Sequence, residues 1–120
     1  MDFNVDDRLH GDLAIVTVTG DIDVFSSPHL RETLLDLIEG GGLHLLVDLS
    51  AVEFLDSTGL GVLVGIFHRL RSRDGSMAFV STDDRVRRIF HVTQLTKIFT
   101  IYASMDEALQ AHAADSHATP

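Results

Sequence analysis

Apolar residues in this chain form short continuous runs, separated by segments whose apolar positions repeat every three or four residues. The run at 43–49 is nearly all apolar, which is typical of a strand whose sheet is covered on both faces. The run at 13–19 is rich in β-branched residues, which also favours a strand. The predicted strands are 3–9, 13–19, 43–49, 77–80 and 98–102.

Segments of helical period follow every predicted strand except the first. Serine, aspartate or a serine–glutamate capping box stands at the start of each of these segments, and such residues satisfy the free N–H groups of a first helical turn. The predicted starts are Ser26 with Pro28 in the first turn, Ser57, Asp83 or Asp84, and Ser104 with Glu107. From about Ala113 the pattern has no period, so we expect a disordered tail over 113–120.

The resulting order is β-β-α-β-α-β-α-β-α. Strands that alternate with helices predict an α/β fold with a mostly parallel sheet, and the two strands at the start predict an antiparallel pair. A chain of 120 residues suits one hydrophobic core. We therefore expect a single domain over 1–112.

Nine basic residues against eighteen acidic ones give a formal net charge of −9. An acidic chain with one lysine is poorly suited to bind the phosphate backbone of DNA or RNA. No apolar run approaches the ~20 residues that cross a bilayer, and the acidic start does not resemble a signal peptide. Cysteine is absent. These features predict a cytoplasmic protein that binds neither nucleic acid nor membrane.

A compact polar cluster between the third strand and the second helix is the strongest candidate for chemistry. Asp56, Ser57, Thr58 and Gly59 place two hydroxyls at a helix N-terminus, where free N–H groups and the helix dipole favour a phosphate. The cluster is also consistent with plain capping, so both interpretations stay open. Gly59 and Gly61 each cost about 1 kcal/mol inside a helix relative to alanine, which close approach of another group would explain.

Other chemistries have weaker support. The seven histidines are scattered without ligand spacing, so no metal site is predicted, and no glycine-rich motif indicates a nucleotide or another cofactor. Ser57 lacks the motif of a hydrolase nucleophile, and no enzymatic activity is predicted. Asp48 with Asp21 and Asp23 invites comparison with receiver domains, which phosphorylate an aspartate at the end of a central strand and bind Mg²⁺ at an acidic pair. Receiver domains also carry a lysine after a late strand, whereas Lys97 precedes the last strand here.

Three segments together resemble the STAS domain, and more narrowly the bacterial anti-sigma factor antagonists. They are G-D-I-D at 20–23, V-D-L-S-A-V-E-F-L-D-S-T-G-L-G-V-L at 47–63 and V-R-R-I-F-H-V-T-Q-L-T-K-I-F at 86–99. The resemblance implies that the partner anti-sigma factor, a serine kinase of the GHKL type, phosphorylates Ser57. It also implies that a PP2C-type phosphatase restores binding, and that Asp23 lies beside Ser57 on the partner surface.

The sequence therefore predicts a regulator that binds an anti-sigma factor kinase while Ser57 is unmodified and thereby releases a sigma factor. The rival interpretation is a STAS docking subunit of a transport or signalling assembly, in which Ser57 is not phosphorylated. The predicted partner-binding residues are Asp21, Asp23, Asp56, Ser57, Thr58, Gly59 and Gly61.

Overall fold

The computed structural model describes residues 2–118 of the chain. Its elements occur in the predicted order, with one short 3-10 turn (Leu95–Lys97) before the last strand. The strands are β1 (Asn4–His10), β2 (Leu13–Thr19), β3 (His44–Ala51), β4 (Ser76–Val80) and β5 (Thr100–Tyr102). The helices are α1 (Ser27–Glu39), α2 (Ser57–Arg71), α3 (Asp84–Val92) and α4 (Met105–Ala118).

The five strands form one sheet in the order β1-β2-β3-β4-β5. Strand β1 pairs antiparallel with β2 through a tight turn at Gly11, whose φ of +65° suits glycine. The pairs β2–β3, β3–β4 and β4–β5 are all parallel. The predicted α/β fold with a mostly parallel sheet and an antiparallel pair at its start is confirmed.

The two faces of the sheet are covered unequally. Helices α1, α2 and α3 pack on one face, where the cross-strand neighbours Val16, Val47 and Phe79 are fully buried. Phe79 contacts Phe90 and Phe99 edge to face or tilted, with ring centroids 5.1 and 4.9 Å away. Of the elements in residues 2–118, only α4 packs on the other face, over a smaller cluster that comprises Leu13, Ile15, Leu46, Val80 and Ala108.

The predicted strand ends lie within two residues of those in the structure, and two of the differences between sequence and structure have a clear physical reason. Strand β5 begins at Thr100 instead of residue 98, because the N–H groups of Ile98 and Phe99 both donate to the carbonyl of Leu95 in the 3-10 turn. Helix α4 continues to Ala118, so the backbone of 113–118 is helical where the sequence predicts disorder. The alanines at 111, 113 and 114 have the highest helix propensity of any residue and extend the helix without an apolar period. Residues 119 and 120 of the predicted tail lie outside the described range.

The parallel arrangement puts the carboxyl ends of β2, β3 and β4 at one edge of the sheet. The loops that follow β2 and β3 lead into helices α1 and α2, and both predicted clusters, 20–23 and 56–59, lie in or directly after these loops. Within residues 2–118, no helix is both long and apolar enough to cross a membrane.

Candidate functional site

The loop after β2 and the loop after β3 are joined by backbone hydrogen bonds. The N–H of Ile22 donates to the carbonyl of Phe54 (2.9 Å), and the N–H of Asp56 donates to the carbonyl of Ile22 (3.1 Å). The Ile22 side chain is fully buried, and residues 22 and 55 form an isolated parallel bridge beyond the ends of β2 and β3. The two clusters that the sequence singled out are therefore held against each other.

Asp56 caps helix α2. Its backbone is extended (φ −98°, ψ −178°), and its carboxylate Oδ1 accepts a hydrogen bond from the N–H of Gly59 at 2.9 Å. Ser57 and Thr58 are exposed, and neither hydroxyl makes a hydrogen bond to any part of the chain that the structure describes. Capping therefore needs only Asp56, and the two hydroxyls are available to other molecules.

The two glycines at the start of α2 have different surroundings. Gly59 is buried, and a Cβ there would clash with Ile22 Cγ2 and lie 2.8 Å from Leu55 Cδ1. Gly61 is exposed, and a Cβ there would meet nothing within 4 Å among the described residues. Close packing thus explains Gly59 and leaves Gly61 without an intramolecular reason.

Asp23 organises the turn that leads into α1. Its Oδ1 accepts hydrogen bonds from the N–H groups of Phe25 (2.9 Å) and Ser26 (3.0 Å). The bond from the Ser26 N–H is the largest cause of a pKa below the ordinary value for this carboxyl, and the bond from Phe25 also lowers the pKa. Asp23 is therefore ionised at neutral pH.

The predicted serine cap of α1 at Ser26 is wrong. Ser26 has helical backbone angles (φ −91°, ψ −20°), and its side chain caps no helical N–H within the described chain. Its hydroxyl instead donates to the carbonyl of Asp21 (2.7 Å) and accepts from the N–H of Asp23 (3.0 Å). A residue that caps a helix with its side chain has an extended backbone. Because the backbone of Ser26 is helical, its hydroxyl closes the loop before the helix instead.

Three exposed apolar side chains lie in the same two loops, and the sequence analysis missed them as functional candidates. Phe25 is 90% exposed, Val24 56% and Phe54 50%. Phe25 also lines a surface groove of about 510 Å³ with Asp21, Asp23 and Glu53. The signal in the sequence is that these apolar residues lie in short loop segments bounded by acidic residues or serine, outside every periodic segment.

The structure does not favour a metal or receiver-type site. Among the described residues, no group of three or more histidine and acidic side chains is arranged to hold a metal ion. Asp48 lies inside β3, partly buried, and its Oδ1 accepts a hydrogen bond from the N–H of Ser50 at 2.9 Å. A receiver aspartate stands at the end of its strand, next to an acidic metal site, so the comparison with receiver domains fails.

Comparison with known proteins decides the family. The model of the STAS domain matches residues 4–108, which is most of the chain. The chain belongs to the STAS domain family. The chain is also 38% identical over 110 residues to the anti-sigma-B factor antagonist of Bacillus subtilis, an alignment that covers 92% of this chain and all of that protein.

Solved structures agree with this assignment. An anti-sigma factor antagonist from Mycobacterium paratuberculosis superposes on this STAS domain with a TM-score of 0.84, at 32% identity over 92% of this chain and 93% of that one. The Bacillus cell fate determinant SpoIIAA in its phosphorylated form superposes with a TM-score of 0.70, covering 92% of this chain and 98% of that one. At 17% identity the second likeness shows the fold alone.

Proposed function

We propose that this STAS domain is an anti-sigma factor antagonist and that Ser57 is its site of phosphorylation. The observation that carries the proposal is the exposed Ser57 hydroxyl, which stands at the first residue of α2 and is not used for capping. A protein kinase needs a hydroxyl that is accessible and free of internal hydrogen bonds. The relatives named above are regulatory proteins, which is consistent with a chain that acts by binding.

In the unmodified state the protein binds its anti-sigma factor, a serine kinase of the GHKL type, and the sigma factor is released. The kinase transfers phosphate to Ser57, and a PP2C-type phosphatase removes it. The partner surface consists of the loop 20–25 and the start of α2, which the hydrogen bonds of Ile22 hold together. Its residues are Asp21, Asp23, Asp56, Ser57, Thr58, Gly59 and Gly61.

The location of Ser57 explains why phosphate acts on binding more than on folding. Phosphorylation adds about −1.5 to −2 charges at neutral pH. In the free protein, water screens this charge and the N-terminus of α2 offsets part of it. Inside an interface the same charge lies next to Asp56 and near the loop that carries Asp21 and Asp23, where screening is weaker.

The test is to incubate the purified protein with ATP and the candidate kinase and to map phosphate by mass spectrometry. We expect labelling at Ser57 and loss of kinase binding in calorimetry after labelling. Binding of an ABC-type ATPase, with no phosphate at Ser57, would instead support the docking-subunit alternative.

A further inference from the structure

We infer that Phe25 is the aromatic anchor of the kinase interface, and that Asp23 serves the interface by holding Phe25 in position. The inference rests on the proposed function and goes beyond it, because it assigns different roles to two residues of one loop. The occupant that we propose for the anchor is an apolar pocket on the anti-sigma factor kinase.

The exposure of Phe25 is the first reason. A phenylalanine ring that is 90% accessible leaves most of its apolar surface in water, although large aromatic residues are normally well buried. Val24 and Phe54 extend the apolar surface, at 56% and 50% exposure. Aromatic side chains, phenylalanine included, bury about 150–250 Å² each and are enriched at protein interfaces.

The second reason is that the backbone around Phe25 is fixed before any partner binds. One oxygen of Asp23 accepts the N–H groups of both Phe25 and Ser26, and the Ser26 hydroxyl donates to the carbonyl of Asp21. The buried Ser27 hydroxyl donates to the carbonyl of Asp23 (2.6 Å). A loop that is already ordered loses little conformational entropy on binding, which increases affinity.

The third reason is that backbone hydrogen bonds connect the loop of Phe25 to the start of α2, where Ser57 lies. Phe54 accepts the hydrogen bond from Ile22, and Ile22 accepts the one from Asp56, so the backbone of the anchor loop is bonded to the segment that begins α2. A partner that reaches the Ser57 hydroxyl therefore also faces the loop that carries Phe25.

The negative charge around the anchor disfavours binding of a second copy of this chain at this surface. Asp21 and Glu53 are exposed beside Phe25, and the chain carries a formal net charge of −9. Two copies that met through this surface would oppose carboxylates to carboxylates. The occupant is thus a protein whose apolar pocket has a neutral or basic rim.

Four variants separate the two roles when their affinity for the purified kinase is measured by calorimetry. Phe25→Ala should weaken binding at least tenfold with an unchanged melting temperature, because the ring makes few contacts in the free protein. Asp23→Ala should also weaken binding, since the turn loses its acceptor. Asp23→Asn keeps an acceptor oxygen without the charge and should bind within about threefold of the wild type. The double variant Asp23→Ala/Phe25→Ala should bind no more weakly than Phe25→Ala.

The matched control is Leu9→Ala. Leu9 is also a largely exposed apolar residue, at 76%, but it lies on β1 beside the turn at Gly11, at the other end of the sheet. This variant should bind as the wild type does. Sedimentation of wild type and Phe25→Ala should give the same mass.

Each contrary result has a distinct meaning. Wild-type affinity in Phe25→Ala overturns the anchor, and binding by Asp23→Asn as weak as by Asp23→Ala overturns the positioning role in favour of charge. A dimer that Phe25→Ala dissociates assigns the ring to self-association and overturns the proposal. In all of these cases phosphate at Ser57 still supports the proposed function, whereas wild-type protein that neither binds the kinase nor accepts phosphate defeats both.

Discussion

Gly59 of helix α2 lies directly against Ile22, so that a Cβ at position 59 would clash with Ile22 Cγ2. Because Ile22 joins the two loops of the proposed partner surface, this contact connects the packing of α2 to the geometry of the site. Gly59→Ala gains helix propensity of about 1 kcal/mol but must displace buried atoms, which costs about 1–3 kcal/mol. We expect a net loss of stability, measured by urea denaturation.

Gly61 in the same helix provides the control. A Cβ at this position meets nothing within 4 Å in the described structure, so Gly61→Ala should raise the free energy of unfolding by up to about 1 kcal/mol. Equal effects of the two substitutions would contradict the packing that we describe for Gly59.

Phosphorylation of Ser57 should abolish kinase binding and leave the melting temperature nearly unchanged. At ~5 Å from one carboxylate and an effective dielectric constant of ~20, each added charge costs about 3 kcal/mol, which is roughly a hundredfold in affinity. Ser57→Asp should imitate part of this loss. Calorimetry with phosphorylated and unmodified protein measures the difference.

Two further variants complete this experiment. Ser57→Ala should bind the kinase permanently, and it should be as stable as the wild type because Asp56, and not Ser57, caps α2. Thr58→Ala should remain switchable. Labelling of Thr58 instead of Ser57 by kinase and ATP would refute the assignment.

Gly61→Glu should weaken kinase binding without lowering stability. Residues 57 and 61 are one turn apart on the same face of α2, so a glutamate at 61 would project from the surface that carries the Ser57 hydroxyl. Its side chain would add both bulk and negative charge to the interface. If calorimetry gave the wild-type affinity for this variant, the second turn of α2 would lie outside the partner surface.

Stability should fall as the pH drops below about 4. Four carboxyls among the described residues have a pKa below the ordinary value: Asp12, Asp23, Glu39 and Asp83. In each of them the largest cause is a hydrogen bond that the carboxylate accepts. A folded-state pKa below the unfolded one means that stability is present above the unfolded pKa, near 4, and is lost as pH falls through the folded pKa.

The measurement is the melting temperature from pH 7 to pH 2. Asp83→Asn should reduce the slope below pH 4, because the hydrogen bond and ion pair with Arg85 are the main source of the lowered pKa of Asp83. A melting temperature that rose on acidification would reverse the sign argued here.

Deletion of 115–120 should change neither stability nor kinase binding. Among the side chains that the structure describes, those by which α4 contacts the sheet and the first turn precede the deletion: Ala108 is buried against β2 and β4, and His112 bonds to Asp12 at 2.8 Å. A melting temperature several degrees lower would show that the end of α4 also docks. Deletion of 111–120 removes the His112 contact and serves as the positive control.

Periodicity predicted the elements that pack on the sheet, because burial against the sheet requires an apolar face. Strand β2 was predicted with the ends that the structure has, because it coincides with one apolar run, and helix α2 was predicted with its first residue, Ser57, because the polar cluster marks the start of the helix. Helix α4 was predicted too short because alanine extends a helix through its backbone propensity, which leaves no mark in an apolar pattern. The cluster at 56–59 was singled out by its hydroxyls at a predicted helix start, whereas the partner role expected for residues 20–23 and the phosphorylation expected at Ser57 came from family resemblance.

What the sequence alone did not provide depends on contacts between distant residues. Gly59 and Gly61 stand in the same helix, and only the position of Ile22 distinguishes them. Whether Ser26 or Asp23 stabilises the start of α1 depends on backbone angles that capping preferences do not determine. The exposure of Phe25 follows from the direction of its loop, which no local sequence pattern determines.

The hydrogen bonds that join Ile22 to Phe54 and Asp56 also affect how fast the protein responds. A surface that is ordered before it meets its partner requires no slow folding step, so association is limited by diffusion and orientation. Addition or removal of one phosphate on an exposed hydroxyl likewise requires no rearrangement of the core. In the proposed function, the response time is therefore set by the turnover of the kinase and phosphatase that act on Ser57, and the domain itself adds no delay.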